Sequence, residues 1–253
     1  MIEKTEVIIK WLLLNLADKV VTSKDIYLRN SIAKSSSLLG SIGKLYIQSS
    51  YNDGWVLYRS LIDRLVHIYY LCDNNLFQQF EDWTYIQKYE YINNVRADEK
   101  FKRVLNDPGF KTDRKESNKY RELKNKRTKW DKPNPRVVLK NKGLDFMYKF
   151  GYDIASMDTH PMATDGEEEF YKITGLEPNP YKKLNHEILL KNSILVSSLI
   201  YQVAFNNLDV RFRGLAYSFL EETRKYINSE PNEFDNKYVQ LLKLAEERIS
   251  LFE

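Results

Sequence analysis

Three side chains at helical spacing are the first place to look for chemistry. Arg59, Asp63 and His67 follow one another at four-residue steps, which puts them on one face of a helix, with Tyr70 close to the same line. Around them stand Trp55, Val56, Leu57, Leu61, Ile62, Leu65, Val66 and Ile68. A cation, a carboxylate and an imidazole on so apolar a helix are costly to bury unless paired. The stripe is therefore either a structural Arg59–Asp63 pair or a charged site facing a cleft. An arginine steadied by a carboxylate keeps its planar fork aimed and its remaining donors free for a phosphate.

His160 is the second candidate. It closes the run Tyr152-Asp153-Ile154-Ala155-Ser156-Met157-Asp158-Thr159-His160, at an expected helix C-terminus, where the helix dipole favours a protonated ring. Capping is one role for it; proton exchange near neutral pH is the other. Any role shared with Arg59 and Asp63 requires the three to meet through the fold.

Charge supplies the third signal. Lys111–Lys142 holds thirteen Lys or Arg against four Asp or Glu, a balance of +9 in a chain whose net charge is +4. Such asymmetry suits a phosphate backbone, and a solvated helix face is the alternative. Lys119, Arg121, Lys124, Lys126, Arg127 and Lys129 are the candidate phosphate contacts, with Trp130 and Tyr120 available to stack on bases. Metal chemistry has little to work with. The chain has one cysteine and three histidines without zinc-ligand spacing, so only Asp158, His160, Asp165 and Glu167 could form a hard-cation site. No metal and no cofactor is expected, and glycine-rich nucleotide loops are absent.

The elements that must position these residues are helices. Nine glycines and seven prolines in 253 residues are too few for a turn-rich β fold. Apolar periodicity predicts helices over 2–21, 25–48, 55–72 and 76–95. Thr22 or Ser23 caps the second, and Ser49-Ser50-Tyr51-Asn52-Asp53-Gly54 interrupts the chain before the third. The 55–72 helix is apolar nearly all round, as a central core helix is. Asp107-Pro108-Gly109 and Pro133-Asn134-Pro135 bracket a charged stretch, followed by a short helix from Val137. Later helices cover about 143–156, 185–207, 210–226 and 233–252, with an acidic loop at Asp165, Glu167, Glu168 and Glu169. The fold class read from this is all-α: a helical bundle with a basic, partly irregular insertion. The organisation is a single helical domain over 1–253 with the insertion at 107–142. Cys72 alone excludes an internal disulfide, acidic Glu3 and Glu6 do not suit a signal peptide, and the charge-free run 192–208 is too polar and short for a bilayer span. A cytoplasmic protein without a membrane partner is expected.

Several of these residues also form a pattern. Arg29-Asn30-Ser31-Ile32-Ala33 through Tyr58-Arg59-Ser60-Leu61-Ile62-Asp63, then Tyr85-Ile86-Gln87-Lys88, Trp130, and Tyr152, Ser156, His160 and Pro161, resemble domain-of-unknown-function family 5677 of prokaryotes over about 25–163. Asp63 departs from it, since the family more often has Glu there. The family's helical layout is similar to HEPN-type proteins, many of them metal-independent ribonucleases of toxin–antitoxin and phage-defence systems. The resemblance implies a protein that binds or cleaves RNA in prokaryotic defence or stress response, with Arg59 as phosphate clamp, Asp63 orienting it and His160 as general acid/base. HEPN enzymes place that histidine four to six residues after the arginine, a spacing that His67, His160 and His186 all lack. The alternative is a non-catalytic protein-interaction module with a structural polar stripe. The partners expected are RNA and either a second copy of the chain or another protein.

Overall fold

In a computed structural model, residues 1–16, 21–101, 113–126, 130–157, 166–176 and 187–249 are described, and they are helical throughout, without a strand. The chain divides into two compact units, one of residues 1–70 and 133–253, the other of residues 71–132.

The first unit is a packed helical bundle. Its helices are α1 (Ile2–Leu16), α2 (Ser23–Ile47) and most of α3 (Tyr51–Asn74). They are joined by α6 (Pro135–Asn141), α7 (Asp145–Met147), a π turn (Tyr148–Tyr152), α8 (Asp153–Met157), α9 (Glu167–Thr174), α10 (Glu187–Asn207), α11 (Arg213–Ile227) and α12 (Phe234–Ile249). Within this unit α2 lies along both α1 and α10, and α11 packs on α10 and α12. Local chemistry sets the boundaries. Thr22 caps α2 reciprocally with Asp25, each side chain taking the other's backbone N–H at 3.2 and 3.1 Å. Asn134 caps α6, with Pro135 in its first turn. Glu222 of α11 reaches the start of α12, accepting the backbone N–H of Glu233 at 2.6 Å and the Lys225 ammonium at 2.8 Å.

α3 differs from the sequence reading at its start. The interruption at 49–54 shrinks to a single turn in which Ser49 takes a left-handed conformation, and the helix begins at Tyr51 with Gly54 inside it. Gly54 works as a seat here and not as a breaker. A Cβ on it would come within 2.7 Å of Leu189 Cδ2, so its bareness lets α10 approach. Leu61, Ile62, Leu65 and Ile68 are 0% exposed, as the periodicity implied. Burying each such side chain contributes about 1.5–3 kcal/mol.

α10 carries most of the charge-free run. By length and mean hydropathy, 1.5, it is long and apolar enough to cross a membrane; in this fold it is a core helix with 56% of that window buried. Its seam with α2 is unusual in holding buried hydroxyls. Ser35, Ser197 and Tyr201 have polar atoms out of contact with water and without a hydrogen bond. The Tyr201 hydroxyl lies beside Ser36 and Ser197 without acceptable hydrogen-bond geometry, and burial pushes its phenol up.

The second unit holds the end of α3, then α4 (Phe77–Ala97) and α5 (Arg114–Asn125). Asp113 caps α5 reciprocally with Glu116. Tyr120 stacks on Tyr89 of α4 with ring centres 4.3 Å apart, and Tyr85 and Tyr89 bond to the Glu116 carbonyl and the Ser117 hydroxyl. Aromatic residues of α4 thus supply the packing that a charged, apolar-poor α5 cannot supply for itself.

Candidate functional site

No residue of α3 between Gly54 and Cys72 is fully exposed. Its core face centres on Tyr58, Leu61, Ile62 and Leu65. The opposite face is half-buried and carries Arg59, Ser60, Asp63, Arg64 and His67. Arg59 is gripped from several sides by a segment more than ninety residues away. One terminal nitrogen donates to Ser156 Oγ and the other to the Tyr152 hydroxyl, while the guanidinium carbon sits 3.5 Å from the centre of the Tyr152 ring. Nε lies 3.8 Å from Asp63 Oδ2, an ion pair too long to be a hydrogen bond.

The π turn makes this grip possible. A π turn inserts an extra residue into a helix and is found disproportionately at functional positions. Here it spans 148–152 and leads straight into α8, so Tyr152 and Ser156 fall four residues apart on the side facing Arg59. Gly151 lets the turn come close: a Cβ there would stand 2.7 Å from the Tyr58 hydroxyl and 3.2 Å from Ile62 Cδ1. Tyr148 stacks on Tyr152 at 5.5 Å between ring centres.

Counting hydrogens defines what the site offers. Ser156 Oγ spends its hydrogen on the Tyr152 backbone carbonyl and accepts from Arg59. The Tyr152 oxygen accepts from Arg59, which leaves its own O–H without an acceptor among the described residues. Burial, assisted by the negative charge of Asp63 and opposed by Arg59, holds the Tyr152 phenol above its ordinary range, so it stays a donor. Each terminal nitrogen of Arg59 keeps a second hydrogen. The result is a small, preorganised set of donors around a fixed positive charge, suited to an oxyanion.

The sequence candidates fall into three groups. Arg59 and Asp63 meet directly. His67 turns back on its own helix, Nδ1 donating to the Asp63 backbone carbonyl at 2.7 Å. His160, Arg127 and Lys129, like Asp158 and Asp165 of the carboxylate alternative, lie outside the described residues. The described residues contain no group of three metal-ligating side chains.

The basic candidates of the second unit are partly engaged at home. Lys124 bonds Glu90 at 2.9 Å and the Tyr120 hydroxyl at 2.7 Å, which raises its pKa, and Lys126 pairs with Glu122 at 2.6 Å. Lys119 stands 4.5 Å over the Tyr85 ring, while Arg121 is exposed. Trp130 packs against Phe80 and Trp83 at 4.7 and 6.3 Å, and Tyr120 against Tyr89, so both aromatic rings have neighbours already. The two partners that hold Arg59 were not picked out by the sequence reading as site residues. Tyr152 and Ser156 stood in the motif, and their four-residue spacing was the available signal that they share a face.

A family profile described as "Family of unknown function (DUF5677)" matches residues 25–170. That span takes in Arg59, Asp63, Tyr152 and Ser156. No curated protein and no solved structure matches the chain.

Proposed function

This chain belongs to the DUF5677 family, whose function is unknown, and from its Arg59 site we propose that it is a HEPN-like helical protein that binds RNA through the phosphate backbone. The carrying observation is the geometry of Arg59. Its guanidinium is fixed by Tyr152, Ser156 and Asp63 with donors still available, beside the unspent O–H of Tyr152. Phosphate oxygens are the ligands that match an arginine fork with a hydroxyl next to it. The Tyr152 ring is taken up by Arg59 and Tyr148, so the half-buried Tyr148 is the ring beside that point left for an unstacked base of a single strand. The proposal is for binding; cleavage enters as an outcome of the assay, with His160→Ala as its variant. A prokaryotic cytoplasm and a part in phage defence or stress response go with the HEPN-like reading.

Fluorescence anisotropy with a 5′-labelled single-stranded RNA tests it. Arg59→Gln should weaken binding about tenfold or more, as loss of a charged hydrogen bond of about 1.5–3 kcal/mol implies. Tyr152→Phe, which keeps the ring and removes the donor, should weaken it by less. Unchanged affinity in both variants, with a lowered melting temperature, would make the cluster a packing device. The interaction-module reading would then take precedence. One observation already favours it as the second choice: Phe146 and Phe150, four residues apart, stand 48% and 65% exposed.

A further inference from the structure

Arg64 is a charged residue without a described role. It projects from the same half-buried face of α3, yet its Nε is shielded from water and has no hydrogen-bond partner. Among the described residues no carboxylate, carbonyl or hydroxyl meets its guanidinium. A guanidinium whose Nε is dry and unanswered, with no described acidic partner in reach of its terminal nitrogens, is held at a cost, and the usual remedy is an anion. The contrast with Arg59 is instructive. Arg59 has an ion pair, two hydroxyl acceptors and an aromatic ring; Arg64, five residues on, has none of these.

The placement of the two arginines restricts the anion. Five residues of helix advance about 7.5 Å along the axis and about 140° around it. Arg59 and Arg64 therefore occupy opposite edges of one polar face. Asp63 and the His67 ring, tied to the Asp63 carbonyl, lie between them. Their stems leave the helix about 140° apart and Arg59 is held on its own side by Tyr152 and Ser156, so a phosphate at Arg59 leaves Arg64 to meet the next phosphate of the same strand.

We infer that Arg64 is a second phosphate contact, so that the α3 face takes a strand with at least two successive phosphates and not a mononucleotide. This rests on the RNA reading of Arg59 and adds to it the length and path of the ligand. The strand would run along α3 from the Tyr152 end toward His67. Asp63 would separate the two phosphates and discourage an anion from settling midway.

Two probes, uridine 5′-monophosphate and an eight-residue oligouridylate, distinguish the possibilities in titrations of the full chain at several salt concentrations. Arg64→Met keeps most of the aliphatic stem. It should weaken the oligonucleotide about tenfold, reduce the slope of log affinity against log salt by about 0.7 and leave the mononucleotide unaffected. Arg64→Lys should restore part of the slope. The melting temperature of Arg64→Met should not fall, because removing an unpaired, half-buried charge relieves a cost; a structural arginine would show a loss. Unchanged oligonucleotide affinity and slope would overturn the inference, as would equal weakening of both probes, which would reduce Arg64 to shaping the Arg59 site. A glutamate-rich peptide that competes as well as the oligonucleotide would replace the strand by an acidic protein partner. If Arg59→Gln changes neither probe while Arg64→Met still weakens the oligonucleotide, the Arg59 reading fails and the Arg64 contact stands.

Discussion

Replacing Gly151 by alanine should damage both the fold and the site, and the structure sets the size of the effect. The added methyl would lie 2.7 Å from the Tyr58 hydroxyl oxygen and 3.2 Å from Ile62 Cδ1, both well inside ordinary contact. Neither neighbour can step aside, since Tyr58 is 1% exposed and Ile62 0%. Overpacking of this kind costs about 1–3 kcal/mol, and alanine's better helix propensity offsets up to about 1 kcal/mol of it. From the middle of both ranges, a net loss of about 1.5 kcal/mol corresponds to a melting temperature lower by roughly 3–6 °C for a chain of this size. The same variant should weaken RNA binding, because the π turn that Gly151 seats also carries Tyr152. Tyr58→Phe removes the oxygen that the methyl meets, so Gly151→Ala should be milder in the Tyr58→Phe background, with a coupling of about 1 kcal/mol. Gly214→Ala is the control: nothing lies within 4 Å of its Cβ position, in the first turn of α11, and it should be neutral or stabilising by up to about 1 kcal/mol. A Gly151→Ala protein that melts with the wild type, or a loss that Tyr58→Phe does not relieve, would refute the close-approach argument.

Leu65→Ala, at a position 0% exposed, should cost about 2–5 kcal/mol in denaturant melts; a loss below roughly 0.5 kcal/mol would contradict its place in the core. The Glu222 carboxyl is held below its ordinary pKa of 4.5 by Lys225 first and then by the Glu233 backbone N–H. Its contribution is therefore present above pH about 4.5 and lost as the pH falls below that value, and Glu222→Gln should flatten this acid dependence in melting curves taken from pH 6 to 3. Binding of RNA by the wild type should fall steeply with salt, and neutralising the exposed Arg121 should lower the slope by less than one unit. A flat salt response would leave the 107–142 segment as a solvated surface.

Much of the fold was legible because its signals are local. The Thr22–Asp25 cap, the central character of α3 and the Arg59–Asp63 pair each depend on residues within four positions of one another, where spacing in sequence is spacing in space. The site was half legible. The contacts from Arg59 to Tyr152 and Ser156 cross 93 and 97 residues, and no periodicity reports a contact made by folding. The π turn escaped because one inserted residue barely disturbs a 3.6-residue pattern. Gly54 was misread because a glycine that breaks a helix and a glycine that admits a neighbouring helix look alike until the neighbour, Leu189, is known. The ring partners of Tyr120 and Trp130, which are Tyr89, Phe80 and Trp83, stayed hidden because composition reports residue types and not neighbours.

The hydroxyls sealed between α2 and α10 bear on how the first unit moves. Where an interface is purely apolar, every ångström of separation costs hydrophobic burial and returns nothing. At Ser35, and at the Ser197 and Tyr201 hydroxyls that lie beside each other, the entry of water gives poorly satisfied polar atoms better partners, and an unmade bond of this kind is worth about 1–3 kcal/mol. Separation along this seam is correspondingly easier than its apolar area alone implies. Amide hydrogens near Ser197, although deep in a core helix, should therefore exchange through local opening, ahead of those around Leu61 and Leu65 that wait for global unfolding. The centre of the bundle would thus have one rigid helix, α3, which holds the arginines, and one breathing seam.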